Sequence, residues 1–218
     1  MDLWRQTDIL AMTTLNTPIT LVGAGGIGSM TGLALAKMGM QKMVVIDPDT
    51  VEPHNIPNQM YPTAATGKTK VSALAHMARD FAVTRIVQRA TRYNPEIGLT
   101  AIVISALDSF AARAELFDGV TRNPAVSIFI DGRMMAETIR IISIDPHNQS
   151  DLDYYQSTLM EDTPDQLGPC TARAIIYNTM LAGGMIASQV KKHLMKQSPP
   201  RNIVLDLVTM MMVVEGRN

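Results

Sequence analysis

The sequence predicts an α/β fold: a Rossmann-like, doubly wound, mostly parallel sheet, with additional antiparallel strands and a long helix toward its C-terminal end. Three observations carry this. Two runs, Pro18–Val22 and Lys42–Ile46, read as strands, and the second, continuously apolar after Lys42, reads as covered on both faces. Between them "GAGGIGS" opens the segment Gly26–Met38, whose apolar positions Ile27, Met30, Leu33, Leu35 and Met38 suit a helix ended by Gly39. Strand, helix and strand within about 30 residues make a parallel crossover unit.

The remaining elements follow in order. Asp2 to Met12 is weakly helical. A long polar loop with Pro53, Pro57 and Pro62 runs from Pro48 to Thr66, and loops of that length in a compact domain are commonly functional. Gly67–Phe81 reads as a helix, Thr84–Arg89 and Thr100–Ser105 as strands, Ser109–Phe117 as a helix and Ala125–Asp131 as a strand. Asp131-Gly132 signals a turn, after which Glu137–Ile144 returns as a strand. Asp145–Pro169 is polar and reads mostly as loop. Thr171–Leu194 is the long helix, with Ile175, Ile176, Met180, Met185, Ile186 and Val190 on its apolar face, and Asn202–Val214 is strand-like. The 218 residues are read as a single domain, 1–218.

Bulk composition narrows the function. A net charge of −1 leaves no electrostatic footprint for nucleic acid or an anionic membrane. Cys170 is the only cysteine, so neither an intrachain disulfide nor a four-thiolate zinc site is available. His54, His76, His147 and His193 have no ligand spacing. The N-terminus "MDLWRQTDIL" lacks the basic-then-apolar pattern of a signal peptide, and no uninterrupted apolar stretch reaches membrane-spanning length. A cytoplasmic location is expected.

The glycine loop is the first candidate site. Gly23 allows a tight turn off the strand, Gly25 lets phosphates approach the backbone, and Gly28 permits close helix–sheet packing. Gly26 begins the helix, whose free N–H groups and partial positive charge suit a phosphate. Asp47 ends the second strand, about 20 residues beyond Gly28, where an acid reads ribose hydroxyls. This much indicates a nucleotide and does not separate NAD(P) or FAD from ATP. The segment beyond supplies more: Asp49, Asn55 and Gln59 in the loop, then Lys68 and Lys70 at a helix start, where cations oppose the helix dipole unless a polyanion lies nearby. They are otherwise solvated surface lysines. Asp108 follows a strand, where it suits either a Mg²⁺ ligand near phosphates or a helix cap, and Arg113 follows on the next helix. Cys170 stands beside the start of the long helix, as a thiol activated by a helix N-terminus or as a packing residue.

Together, "GAGGIGS", "VVIDPDTVEPHNIPNQ", "TGKTK", "LDSFAAR" and "FIDGRM" resemble the ThiF/MoeB/HesA family, the fold shared with ubiquitin-activating enzymes. The match spans roughly Arg5 to Arg140 and is looser beyond. The resemblance implies MgATP as cofactor, no zinc, and adenylation of the C-terminal glycine carboxylate of a ubiquitin-like or sulfur-carrier protein, or of a peptide. It implies that Asp47 holds the ribose, that Asn55 lies near the phosphates, that Lys70 neutralises phosphates and the leaving pyrophosphate, and that Asp108 holds Mg²⁺. "WRQ" resembles the family's "RQ" element, which makes Arg5 an arginine reaching the phosphates of the other subunit of a homodimer. Asn58 departs from the pattern: the family usually carries arginine there, a loss for which Lys68 is a candidate substitute. Gly183-Gly184 are expected to allow a close backbone approach, with a dimer contact as one use, and the half after Gly132 is expected to dock the partner. Two alternatives stand beside this reading: an NAD(P)- or FAD-dependent oxidoreductase, and a non-catalytic adaptor subunit of an activating-enzyme heterodimer.

Overall fold

The computed structural model describes residues 2–82, 84–161 and 174–216. Its eight strands are β1 (Ile19–Val22), β2 (Met43–Ile46), β3 (Ile86–Arg89), β4 (Ile102–Ser105), β5 (Ile128–Met135), β6 (Thr138–Ile144), β7 (Asn202–Asp206) and β8 (Met211–Glu215). Among the described residues five α-helices accompany them: α1 (Gly26–Lys37), α2 (Lys70–Ala82), α3 (Phe110–Thr121), α4 (Gln149–Glu161) and α5 (Ile176–Leu194). One sheet runs in the order β3-β2-β1-β4-β5-β6-β7-β8. Pairing from β3 through β5 is parallel, and from β5 through β8 antiparallel.

Strand alternation divides the core between the two faces. Ile19 and Leu21 of β1, Ile102 and Ile104 of β4, and Ile128 and Ile130 of β5 pack with α1, α2 and α5. Their neighbours Val22, Val103 and Phe129 face α3 and α4, where Phe129 meets Tyr155 edge-on at 5.1 Å between ring centres. Burying each such side chain stabilises the fold by about 1.5–3 kcal/mol. These strands are covered on both sides, and Thr20 of β1 and Ser105 of β4 are fully buried along with their apolar neighbours.

The register aligns Val22 with Ile46 on one side and with Ser105 on the other. The C-terminal ends of β1, β2 and β4 are thus level. The chain leaves β1 toward β2 and β3, then returns to β4 on the opposite side of β1. A crevice opens at such a switch point, and ligands of open α/β sheets bind there.

Several sequence expectations need correction. Asp131-Gly132 is no turn: both lie inside β5, and the chain reverses at Ala136, whose φ is +50°. Gly132 serves packing, since a Cβ there would stand 2.6 Å from Ile186 of α5. The segment after Asp145 is not mostly loop, because α4 occupies Gln149–Glu161. The side chain of Asn148 accepts the Asp151 N–H at its start, and Leu152, Tyr155 and Leu159 turn one face to the core. The strand-like stretch at the end is a hairpin. Its turn places Met210 at φ +55°, and Asp206 accepts the Val208 and Thr209 N–H groups. The second helix begins at Lys70 rather than Gly67, because Gly67 is left-handed (φ +84°) and residues 67–69 pair back onto Thr50 and Val51. Gly183 packs on Met30 and Thr31 of α1 in its own chain, while Gly184 faces open space.

Candidate functional site

A cavity of about 480 Å³ lies at the switch point. Its walls include Gly23, Gly25 and Gly26 of the glycine loop, Asp47 and Asp49 after β2, Asn55, Asn58 and Gln59 of the long loop, Lys70 of α2, and Asp108 after β4. Sequence positions 23 to 108 are thus gathered around one space.

The glycine loop is built for close approach. Gly23 has φ +94°, and a side chain on it would overlap the Ala106 carbonyl. A Cβ on Gly28 would overlap the Gly23 carbonyl, so α1 sits directly on the loop. A Cβ on Gly25 would meet nothing within 4 Å: the second glycine faces open space, as a phosphate-binding loop requires.

Asp47 locks this loop to β2. Its Oδ2 accepts the Ala24 N–H at 2.7 Å and its Oδ1 the Asp49 N–H at 2.8 Å. The Tyr61 hydroxyl donates to the Ala24 carbonyl at 2.5 Å from the other side. Burial pushes the Asp47 carboxyl above its usual value, against the two amide hydrogen bonds and Lys70, which pull it down. Each oxygen keeps a free lone pair for a ligand hydroxyl. Asn55 is buried and accepts the Glu52 N–H.

Lys70 is 8% exposed, and its ammonium lies 2.8 Å from Asp49 Oδ2. Lys68 is exposed and does not line the cavity, so the structure does not bring it in to replace an arginine at Asn58. Asn58 does line the cavity, and its buried side-chain oxygen has no protein partner; Gln59 is in the same situation. Arg92 and Glu115, unmarked by any motif, also reach the wall, with Tyr93 between β3 and α3. Asp108 is exposed at the cavity rim, while Ser109, rather than Asp108, caps α3 by accepting the Ala112 N–H.

Arg5 lies elsewhere. It sits exposed in a short turn, Trp4–Gln6, and Gln6 donates to the Met38 carbonyl beyond the C-terminal end of α1. The cavity is at the other end of that helix, about 18 Å away. Cys170 falls outside the described residues. Among the described residues no cluster of three or more His, Cys, Asp or Glu is placed to hold a metal ion.

The ThiF family model matches residues 10–214. The chain belongs to the ThiF family. Among curated relatives, this ThiF protein is 31% identical over 107 residues to the Zea mays adenylyltransferase and sulfurtransferase MOCS3-1, a match covering 46% of this chain and 23% of that protein. It is 30% identical over 111 residues to the SAMP-activating enzyme E1 of Haloferax volcanii, covering 48% and 41%. The matched segment therefore spans less than half of either relative. Among solved structures, E. coli MccB with AMPCPP and MccA superposes with a TM-score of 0.76 at 18% identity, covering 97% of this chain and 66% of MccB. MccB with ATP gives 0.75 at 16%, covering 96% and 65%. PaaA gives 0.75 at 19%, covering 93% and 64%. At these identities the likeness establishes the fold.

Proposed function

We propose that the chain is an ATP-binding adenylation domain that activates the C-terminal carboxylate of a small partner. The partner class is a ubiquitin-like or sulfur-carrier protein, or a peptide, ending in glycine. The observation that carries this reading is the convergence on one cavity of an open glycine loop, the Asp47 acceptor, the Lys70 cation and the Asp108 carboxylate. Support comes from the adenylyltransferase and activating-enzyme names of the curated relatives and from the nucleotide-bound MccB structures.

The ribose hydroxyls would donate to Asp47, and the phosphates would lie along Gly25 and the N-terminus of α1, where free N–H groups stabilise them. The partner's carboxylate, ionised at neutral pH, attacks the α-phosphorus. An acyl–O–P bond forms, the α–β bridging P–O bond breaks, and pyrophosphate leaves with the electron pair. No general base is needed. Lys70 would exchange Asp49 for the phosphates and offset the charge that builds on them. The donor set fits Mg²⁺: phosphate-bound Mg²⁺ takes one or two protein carboxylates and keeps several waters, and Asp108 with Asp49 borders the cavity. Bound there, Mg²⁺ would neutralise phosphate charge and polarise the phosphoryl oxygens. Because Arg5 is remote from its own cavity, its role requires a second copy, and a homodimer is part of the proposal.

The lining by Asn55, Lys70 and Asp108 favours ATP over NAD(P) or FAD, which needs only the Gly23–Asp47 portion. Asn58 favours one other reading, a non-catalytic adaptor subunit that still holds nucleotide. Pyrophosphate exchange separates them. Peptides ending in a free glycine carboxylate should support ATP-dependent exchange, and the same peptides amidated should not. MgATP binding without exchange across such peptides and a panel of ubiquitin-like and sulfur-carrier proteins would favour the adaptor.

A further inference from the structure

Beside the Asp108 turn lies a buried polar cluster that the proposed chemistry does not use, of which Arg113 also borders the cavity. Asp131 of β5 is 0% exposed. Its Oδ1 accepts Arg113 Nε at 3.2 Å, and its Oδ2 accepts Arg133 Nε at 2.7 Å and the Tyr155 hydroxyl at 3.1 Å. Arg133 also donates to the backbone and side-chain oxygens of Thr158, at 3.0 Å each, which ties β5 to α4. The Phe110 ring lies 5.3 Å and 5.4 Å from the two guanidinium carbons.

Such a cluster is a poor source of stability. Desolvating two cations and a carboxylate costs several kcal/mol per ion, and a well-packed apolar replacement is often at least as stable. What the cluster does supply is fixed geometry. Arg113 is 3% exposed, and its second arm donates to the Leu107 carbonyl, the peptide group directly preceding Asp108. On the other side of the same turn, Ala106 donates to the Val22 carbonyl at 2.8 Å, and the Ala106–Leu107 backbone fills the space that a Gly23 side chain would need. The turn is gripped between the glycine loop and Arg113.

We propose that Arg113 is a positioning residue: held by Asp131, it fixes the Leu107 carbonyl and so aims the Asp108 carboxylate at the phosphate-bound cation. The inference rests on the MgATP reading above. It concerns how Asp108 is aimed, through a guanidinium fork whose two arms reach two acceptors on different elements, a task a lysine cannot reproduce.

The test is calorimetric titration with ATP in the presence of Mg²⁺ and again with EDTA, for wild type, Asp108→Asn, Arg113→Lys and the double variant. The gain in affinity on adding Mg²⁺ should shrink roughly 5- to 20-fold in each single variant, and Arg113→Lys should have no further effect in the Asp108→Asn background. ATP affinity in EDTA should stay within about twofold of wild type, since the residue acts through Asp108. If Arg113→Lys fails to fold, Tyr155→Phe loosens Asp131 while keeping the ring, and should move the Mg²⁺ gain in the same direction only when Asp108 is present. An unchanged Mg²⁺ gain, effects that multiply in the double variant, or an equal loss in EDTA would each overturn the inference while leaving ATP binding intact. A wild type that binds no ATP under either condition would overturn the functional reading, and the inference with it.

Discussion

Lys70 is tied to Asp49 twice: its backbone N–H donates to the Asp49 carbonyl, and its ammonium lies 2.8 Å from the Asp49 carboxylate. The first residue of α2 is thereby clamped to the loop after β2, with its charge on the cavity wall. Asp49 is exposed while Lys70 is buried, so water can solvate the carboxylate once the ammonium turns to a phosphate, and the phosphate replaces the anion that the buried ammonium needs. Lys70→Ala should therefore weaken ATP binding about 10- to 100-fold, the equivalent of one charge-assisted hydrogen bond. Titration calorimetry checks it, and unaltered affinity would remove Lys70 from the phosphate site.

Asp47 predicts a pH dependence of binding. Its carboxyl titrates above the usual range in the free protein, chiefly through burial. Ribose hydroxyls donating to the ionised form would lower that pKa, so binding and deprotonation are linked. ATP affinity should be full well above the raised pKa and fall as pH drops through it, by at most about tenfold per pH unit for one proton. In Asp47→Asn the profile should lose this step. The raised pKa also means that this group opposes folding at neutral pH, a penalty relieved as the carboxyl protonates.

Gly23→Ala combines a left-handed backbone (φ +94°) with a clash against the Ala106 carbonyl. Overpacking alone costs about 1–3 kcal/mol, and backbone strain about 1–3 kcal/mol more. Gly25→Ala meets no protein atom within 4 Å. Thermal denaturation should show a large loss for the first and little for the second. On the proposed MgATP reading ATP binding should suffer in both, because a methyl on Gly25 would occupy the open space assigned there to phosphate.

Asp131→Asn would leave Arg113 and Arg133 without their shared anion. Breaking a buried pair costs about 3–5 kcal/mol, which denaturant unfolding would register. Burial by itself would raise the Asp131 carboxyl, but the two guanidiniums outweigh it and hold it below the usual range. Its stabilisation is therefore present above the unfolded-state pKa and lost only as pH falls through the lower folded value. The variant should flatten that part of the acid unfolding curve.

Much of the architecture was legible because local signals agreed with the global fold. The largely apolar runs of β1, β2 and β4 and the glycine-led α1 needed no tertiary information. Asp47 and Asp108 were legible as acids after strand ends, which the register of β1 against β2 and β4 sets level, whereas the resemblance marked Asn55 and Lys70, which the long loop and α2 bring to the same cavity. The failures share a physical cause, since what decided them lay outside the local pattern. Asp131-Gly132 carries the composition of a turn, but Arg113 and Arg133 neutralise the aspartate inside a strand and Ile186 needs the glycine's missing side chain. The turn after β7 uses Met210 at positive φ, where glycine would have signalled it. Helix α4 was hidden by its polar face, although Asn148 and the spacing of Leu152, Tyr155 and Leu159 mark it. Arg92 and Glu115 reach the cavity only because β3 ends and α3 begins beside it, which no spacing rule conveys.

The central claim is that this cavity takes MgATP. Titration of wild type and Asp108→Ala with MgATP, with NADH and NADPH as competitors, tests it most directly. Saturable ATP binding that weakens in Asp108→Ala and ignores the dinucleotides is the predicted result. Dinucleotide binding indifferent to Asp108, or no nucleotide binding at all, would contradict it.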